Sequence, residues 1–205
     1  MTTPELTFYT NPKSRGRIVR WMLEETGAPY ATEVLEYGTS MKAAAYLAIN
    51  PMGKVPALRH GAAVVTECAA ICAYLADAFP LAGLAPPPHS AARGTYYRWL
   101  FFAAGPLEAA WTNQALGVDV PPERQAMVGY GSFARVLDVL EGAIGAREYL
   151  VDDHFSAADV YVGSQLGFGM QFGMIDKRPA FARYCEGLAA RPAKQRAEQR
   201  DGAMG

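Results

Sequence analysis

The fold is constrained most strongly by residues 50–66, which read NPMGKVPALRHGAAVVT. Residues 57–60 and 62–65 are short β-type runs, and the single Gly61 between them indicates a tight hairpin of two strands. Pro56 introduces the first of these strands. The bond before it is a candidate for the cis form, because X–Pro bonds lose most of the usual preference for trans. The stretch therefore predicts a hairpin that the chain enters through a proline.

Upstream of the hairpin, strand patterns alternate with helical ones. Residues 6–10 alternate as a strand, and residues 14–26 carry an apolar stripe at helical spacing that Gly27 ends. Residues 30–35 predict a second strand, and residues 40–49 predict a short helix. Since a helical connection between neighbouring strands makes them parallel, the first two strands should pair in parallel.

Downstream of the hairpin, residues 67–79 predict a helix that Pro80 ends, so residues 1–80 have the element order βαβαββα. Residues 81–89 contain three consecutive prolines, which is typical of an extended linker between domains. The remaining patterns are all helical and cover residues 93–111, 123–144, 156–174, 179–190 and 193–199. We therefore predict an α/β domain over residues 1–80, a linker over 81–89, and an all-α domain over residues 90–205.

The clearest local signal in the helical part is the segment FSAADV at residues 155–160. Ser156 is a typical N-cap, and Asp159 stands where its carboxylate can return a hydrogen bond to the cap. The helix that follows is apolar on all sides, so we expect it in the middle of the helical domain.

Composition excludes several classes of protein. Hydrophobic residues make up 51% of the 205 residues and charged residues 19%, which excludes intrinsic disorder. Lys and Arg number 19 against 20 Asp and Glu, without a basic block, so nucleic acid is not an expected partner.

The sequence also bears on where the protein is located. We expect no membrane span and no secretion signal. Three cysteines, an odd number, favour a reducing compartment, and the scattered histidines predict no metal site. We therefore expect a cytoplasmic protein.

Three loops combine polar groups with the end of a strand or the start of a helix. Residues 9–17 run from a strand into a helix N-terminus, where N–H groups and the helix dipole favour an anion. Residues 50–57 expose the backbone of Val55 to a peptide-like ligand, and residues 65–69 place Glu67 at a helix start. If these loops converge, they form a pocket for a small, zwitterionic, thiol-bearing peptide.

Three motifs follow one another along the chain: NPMGKVPAL at residues 50–58, TECAAICAYLAD at 66–77 and FSAADVYV at 155–162. In this order and at these spacings they resemble the cytosolic glutathione transferases, in particular the bacterial ones, over essentially the whole chain. The resemblance implies a thioredoxin-like N-terminal domain that holds glutathione and a helical C-terminal domain with an apolar pocket for an electrophile. It further implies a homodimer that uses glutathione as co-substrate, without a metal, in detoxification.

The resemblance also assigns the glutathione contacts residue by residue. The backbone of Val55, before a cis-Pro56, should pair with the cysteinyl part, while Glu67 and Cys68 should hold the γ-glutamyl end. Cys68 stands where many relatives have serine, so it keeps a helix-start N–H but lacks a good hydroxyl donor. The other predicted contacts are Asn11 in the first loop and, for the glycyl carboxylate, Lys42 and Lys54.

The group that activates the thiol should lie in the first loop, where family members use Tyr, Ser or Cys. This loop offers the hydroxyls of Tyr9 and Ser14, and Arg15 can support negative charge. Lowering a thiol pKa from about 8.5 to about 6.5 requires roughly 2.7 kcal/mol. A hydrogen bond to a charged group contributes about 1.5–3 kcal/mol and a helix dipole about 0.3–1 kcal/mol, which is enough. The predicted mechanism is thiolate stabilisation followed by attack on an electrophile, with no general base required.

Each of these assignments has a plainer structural alternative. Ser14 can be only an N-cap, Tyr9 a core residue and Cys68 a small buried side chain. The alternative for Glu67 is a complement to the helix dipole, and for the three basic residues it is plain solvated surface: Arg15, Lys42 and Lys54. The predicted electrophile pocket consists of aromatic residues that also suit core packing: Tyr97, Phe101, Trp111 and Phe172.

Two other functions remain open on the same fold. One is a glutathione-dependent isomerase or dehalogenase. The other is a non-catalytic, transferase-like binding or interaction protein, which the lack of an obvious Tyr or Cys stabiliser favours and the intact motifs disfavour.

Overall fold

The computed structural model describes residues 6–204, which form two compact units. The first, called the α/β unit below, comprises residues 6–84 together with residues 191–204. The second, the helical unit, comprises residues 85–190. The change from the first unit to the second falls inside the predicted linker. The C-terminal residues, which the sequence assigned to the helical domain, instead belong to the α/β unit because their charged side chains pair with its first helix.

A four-stranded sheet forms the centre of the α/β unit. Its strands lie in the order β2-β1-β3-β4 and are β1 (Leu6–Thr10), β2 (Ala31–Val34), β3 (Ala57–His60) and β4 (Ala63–Thr66). β1 pairs with β2 in parallel and with β3 antiparallel, and β3 and β4 form the predicted hairpin. Gly61 turns this hairpin with a φ of 58°, which glycine adopts without strain. The predicted element order and parallel pair are thus confirmed, although β4 begins one residue later than predicted.

Four helices complete the α/β unit: α1 (Gly16–Thr26), α2 (Ala44–Leu47), α3 (Cys68–Ala78) and, from the chain's other end, α9 (Pro192–Gly202). α1 packs against β1, α3 and α9, and it buries the predicted apolar stripe of Ile18, Val19 and Met22. The helix predicted over residues 40–49 is interrupted, because Ala43 is extended between a 3-10 turn and α2.

The helical unit contains α4 (Ala91–Phe102), α5 (Glu108–Ala115), α6 (Phe133–Ile144), α7 (Ala157–Gln171) and α8 (Pro179–Ala189). The helix predicted over residues 93–111 is divided by a π turn around Pro106, whose nitrogen has no hydrogen to donate. The helix predicted over residues 123–144 is wrong in its first half. A short 3-10 turn ends at Met127, and Gly131, with a φ of 68°, turns the chain before α6 begins.

The predicted capping box at the start of α7 is confirmed. The Ser156 N–H donates to the Asp159 carboxylate at 2.9 Å, and the Ser156 side chain caps the helix in return. Asp159 also accepts from the Leu150 N–H at 2.9 Å and from the Tyr184 hydroxyl at 2.8 Å. Burial raises the pKa of the Asp159 carboxyl, although these hydrogen bonds act in the opposite direction. α7 packs against both α4 and α8, in the middle of its unit as expected.

None of the helices within residues 6–204 has the combination of length and apolar character that crossing a membrane requires.

Candidate functional site

The register of the sheet places the three predicted loops along one edge. Tyr9 of β1 lies opposite Ala57 of β3, which lies opposite Thr66 of β4. The loop after β1, the turn before β3 and the start of α3 are therefore neighbours. The Cys68 thiol lies 3.7 Å from the carbonyl oxygen of Arg15, so the first and third of these segments are in contact.

Ser14 lies in the loop between β1 and α1, called the β1–α1 loop (residues 11–15). Its hydroxyl donates to the Asn11 carbonyl at 2.6 Å and accepts from the Gly16 N–H at 2.9 Å. The expectation that Ser14 opens the helix is therefore corrected: α1 begins at Gly16, and Arg15 occupies the cap position without a side-chain cap bond. A Cβ at position 16 would overlap the Thr10 hydroxyl, so glycine is required for this close approach.

Asn11 is a buried side chain that builds the same loop. Its amide nitrogen donates to the Leu35 carbonyl at 2.9 Å, and its amide oxygen accepts from the Lys13 N–H at 2.9 Å. The bond to Lys13 fixes the loop internally, and the bond to Leu35 joins it to the residue that follows β2. The structure thus gives the Asn11 side chain a shaping role, and Arg15 remains exposed beside it.

Tyr9 belongs to the core of the α/β unit. It is 3% exposed and its ring lies 5.6 Å from that of Tyr46, within a cluster that includes Leu35, Met41 and Ala57. This burial favours the core alternative for Tyr9. Ser14 is therefore the better candidate for contact with a ligand.

The turn before β3, called the proline turn (residues 54–56), is held by its neighbours. The Lys54 carbonyl accepts from the Tyr46 hydroxyl at 2.6 Å and from the Asn50 amide at 2.8 Å. Burial raises the pKa of Tyr46 to about 12, so this phenol is a donor at neutral pH. The bond between Val55 and Pro56 is cis, as predicted.

Val55 is the half-buried residue of the proline turn whose backbone is available. Within residues 6–204, neither its N–H nor its C=O has a hydrogen-bond partner. An extended ligand segment beside Val55 can satisfy both groups, in the way that a strand adds to a sheet edge.

The two predicted lysines differ in what they contact. The Lys42 ammonium donates to the carbonyls of Gly53 at 2.8 Å and Met52 at 3.3 Å, so it fixes the loop before the proline turn. Lys54 is exposed, and its ammonium has no partner among the described residues. Lys54 is therefore the freer of the two for an external carboxylate.

Glu67 starts α3 in an unusual backbone conformation. Its φ is 67° and its ψ is 123°, which costs a residue with a side chain about 1–3 kcal/mol and recurs at ligand sites. Its side chain is exposed, and its carboxylate makes no hydrogen bond or ion pair inside the described part of the chain. Such a carboxylate suits an ammonium group of a ligand.

Cys68 follows Glu67 and is 8% exposed, while Cys72 one turn later is fully buried. Burial raises the pKa of the Cys72 thiol, which makes it unreactive. No cluster of three or more His, Cys, Asp or Glu side chains that suits a metal is found within residues 6–204.

The four predicted pocket residues of the helical unit fall into two groups. Tyr97, Phe101 and Phe172 are 40%, 71% and 66% exposed, as contact with a ligand requires. Trp111 is 8% exposed, and its indole N–H donates to the Met174 sulfur at 2.5 Å, so it is mainly a packing residue.

Sequence reasoning missed the two residues that hold the proline turn. Tyr46 and Asn50 both donate to the Lys54 carbonyl across gaps of eight and four residues. Asn50, directly before Pro51, carried a signal of a turn, whereas nothing in the local pattern marked the hydroxyl of Tyr46.

Comparisons with known proteins agree on one family. A family model described as the N-terminal domain of glutathione S-transferase matches residues 15–78. Glutathione S-transferase 3 of Zea mays is 28% identical over 204 residues, covering 93% of this chain and 92% of that protein. The structure of a glutathione transferase from Methylococcus capsulatus has a TM-score of 0.79 at 30% identity, covering 97% of this chain and 99% of that one. A sphingomonad glutathione S-transferase complexed with glutathione has a TM-score of 0.77 at 29% identity, covering 96% and 98%. These relatives confirm the predicted fold class.

Proposed function

Because the chain belongs to the glutathione transferase family, and is thus a glutathione transferase, we propose that it binds glutathione at the proline turn and the start of α3 and activates its thiol for attack on a hydrophobic electrophile. The observation that carries this proposal is that, within residues 6–204, the N–H and C=O of Val55 and the carboxylate of Glu67 have no hydrogen-bond partner. A peptide with an N–H, a C=O and an ammonium group at matching spacings satisfies all of them.

The binding half of the proposal uses backbone and charge. The cysteinyl N–H and C=O of glutathione pair with Val55, and Glu67 accepts from the γ-glutamyl ammonium. The first N–H groups of α3, beginning at Cys68, face the γ-glutamyl carboxylate with the favourable end of the helix dipole. Lys54 approaches the glycyl carboxylate. Lys42, which fixes the loop before the proline turn, adds a second positive charge for the same carboxylate.

The activation half uses the β1–α1 loop. The Ser14 hydroxyl reorients from the Asn11 carbonyl toward the glutathione sulfur, while its oxygen keeps the Gly16 N–H. Arg15, at the cap of α1, adds positive charge. The thiol proton leaves to solvent, and the sulfur lone pair forms the bond to the electrophilic carbon as the leaving group departs with its electron pair. Thiolate stabilisation is the catalytic contribution, because the thiolate is the reactive species.

The electrophile is proposed to contact the exposed aromatic residues of the helical unit, Tyr97, Phe101 and Phe172, and the more buried Trp111. Apolar surfaces discriminate weakly, by about 1–3 kcal/mol per methylene, so a range of hydrophobic electrophiles is expected. We also propose a cytoplasmic homodimer that serves detoxification, as the resemblance implies.

Glutathione binding and turnover test the proposal together. Millimolar glutathione should raise the melting temperature, and the protein should be retained on immobilised glutathione. It should then accelerate conjugation of a generic aromatic electrophile above the rate of free thiolate. Glutathione that causes no thermal shift rejects the binding half, and binding without any rate enhancement rejects the activation half.

A further inference from the structure

The C-terminal helix α9 packs on α1 through small side chains and several charged ones. Its buried residues recur every four positions and are Ala193, Ala197 and Asp201. Two alanines bury little apolar surface, so the hydrophobic effect alone does not hold this helix in place. Ion pairs with α1 supply the remaining attraction.

The outer part of this interface consists of two glutamates of α1 and three arginines. Glu25 accepts two hydrogen bonds from Arg191, at 2.7 and 2.9 Å, in the bidentate geometry that makes such pairs strong. Glu24 contacts Arg196 and Arg200, each at 3.2 Å. Both carboxylates are nearly buried, so water screens these pairs less than it would at an open surface.

The inner part is a buried ion pair between Arg20 of α1 and Asp201 of α9. The Arg20 Nε donates to Asp201 at 2.9 Å, and both side chains are 2% exposed. The Arg20 Nη1 donates to the Thr32 hydroxyl of β2 at 3.0 Å, and its guanidinium lies over the Phe8 ring of β1 at 5.1 Å. One guanidinium thus joins α9 to α1, β1 and β2.

This junction lies at the two elements that carry the β1–α1 loop. Phe8 is two residues before the end of β1, and Arg20 is one turn after the start of α1. The loop with Ser14 and Arg15 spans the gap between them. Moving α1 relative to β1 therefore moves the loop.

We propose that α9 is a positioning element of the glutathione site, and that Asp201 acts through Arg20 to fix α1, and with it the β1–α1 loop, against the sheet. This role rests on the proposed function, because it assigns to α9 the geometry of the loop that stabilises the thiolate. Removing the Asp201 charge takes the directly bonded carboxylate away from a buried guanidinium, which disfavours the present arrangement.

The test compares two variants of the full chain that each remove one carboxylate from α9. Asp201→Asn breaks the buried pair. Glu198→Gln is the matched control, since Glu198 is half exposed and, among residues 6–204, pairs only with Lys194 of its own helix. The readouts are amide hydrogen exchange in the first turn of α1 without ligand, the glutathione Kd by calorimetry, and the pKa of the bound glutathione thiol from its ultraviolet absorbance.

Asp201→Asn should speed amide hydrogen exchange in the first turn of α1 and raise the glutathione Kd about threefold to tenfold. It should also raise the pKa of the bound thiol by about 0.5 to 1.0, while Glu198→Gln changes none of these. A second pair of variants covers the case in which Asp201→Asn does not fold. Arg191→Glu should change the Kd and the bound thiol pKa in the same direction but less, and adding Glu25→Arg should restore both to their wild-type values.

Two results overturn the inference in distinguishable ways. If Asp201→Asn lowers the melting temperature but leaves the Kd and the bound thiol pKa unchanged, α9 only stabilises the unit and positions nothing. If the wild-type chain itself binds no glutathione, the proposed function fails, and a positioning role for that site fails with it.

Discussion

The β1–α1 loop and the proline turn lie side by side on the sheet, but they differ in what they leave available. In the loop, the side chains of Asn11 and Ser14 are bonded to the backbone around them. In the turn, side chains from elsewhere hold Lys54, and the backbone of Val55 has no partner within the described residues. In the proposed function, binding therefore relies on main-chain groups, while activation requires the Ser14 side chain to leave an existing hydrogen bond.

The largest effect on catalysis is expected at Ser14, whose hydroxyl both shapes the β1–α1 loop and is proposed to contact the thiolate. Ser14→Ala removes the hydroxyl that we propose stabilises the thiolate, which is also the acceptor for the Gly16 N–H. We expect kcat/KM to fall about a hundredfold, as for loss of one donor to a developing anion, with a higher pKa of the bound thiol. Steady-state kinetics across pH measure both quantities.

Tyr9→Phe is the comparison for Ser14→Ala, because Tyr9 lies in the core cluster. It should alter stability and leave the thiol pKa unchanged. If Tyr9→Phe abolishes activation and Ser14→Ala does not, the roles assigned to these two hydroxyls are reversed.

The next effect concerns the ligand, because a backbone group cannot be removed by substitution. A glutathione analogue with an ester in place of the γ-glutamyl–cysteine amide lacks the N–H that the Val55 carbonyl accepts. Leaving that carbonyl unpaired should weaken binding by about 1–3 kcal/mol, which calorimetry measures. An ester at the cysteinyl–glycine bond keeps this N–H and only makes the cysteinyl C=O a weaker acceptor, so it should lose less affinity. Equal affinity of the two esters would mean that the Val55 carbonyl does not pair with the cysteinyl N–H.

The smallest effect is expected at Tyr46, which shapes the proline turn from outside. Tyr46→Phe removes the donor to the Lys54 carbonyl and should lower the free energy of unfolding at pH 7 by about 0.5–1.5 kcal/mol, since Asn50 still holds that carbonyl.

The pH dependence of the same variant has a definite sign. The pKa of Tyr46 is raised from 10.0 to about 12 in the folded chain, so the unfolded chain ionises first. The stability that Tyr46 contributes is therefore complete below pH 10 and is lost as the pH rises from 10 to 12. Denaturant titrations across this range should show the wild type losing stability faster than Tyr46→Phe. Parallel curves would contradict the burial that raises the pKa of Tyr46.

Much of the fold could be predicted because its signals are local. Gly61 marks the hairpin, the order of strand and helix patterns gives the parallel pair, and Ser156 with Asp159 marks the start of α7. The hairpin and the cap depend on residues within a few positions of one another, and the parallel pair follows from the order of neighbouring elements. The same holds for Pro56, whose cis bond was expected from its place before a strand.

The rest depends on contacts between distant residues. The position of α9 depends on pairs such as Arg20 with Asp201, 181 residues apart, and α9 lacks the apolar stripe that reveals packing. The partners of Ser14 depend on how the β1–α1 loop folds onto Asn11. Candidate side chains could thus be identified from the sequence. Whether each of them is already hydrogen-bonded within the fold could not be predicted, because that depends on residues distant along the chain.

Titrating the thiol of glutathione in its complex with the wild-type chain tests most directly whether this site ionises glutathione. The ultraviolet absorbance of the thiolate, followed against pH at saturating glutathione, gives the pKa of the bound thiol. We expect a value of about 6.5, well below that of a free thiol at about 8.5. A bound thiol that titrates at about 8.5 or above would contradict thiolate stabilisation and leave a chain that holds glutathione without activating it.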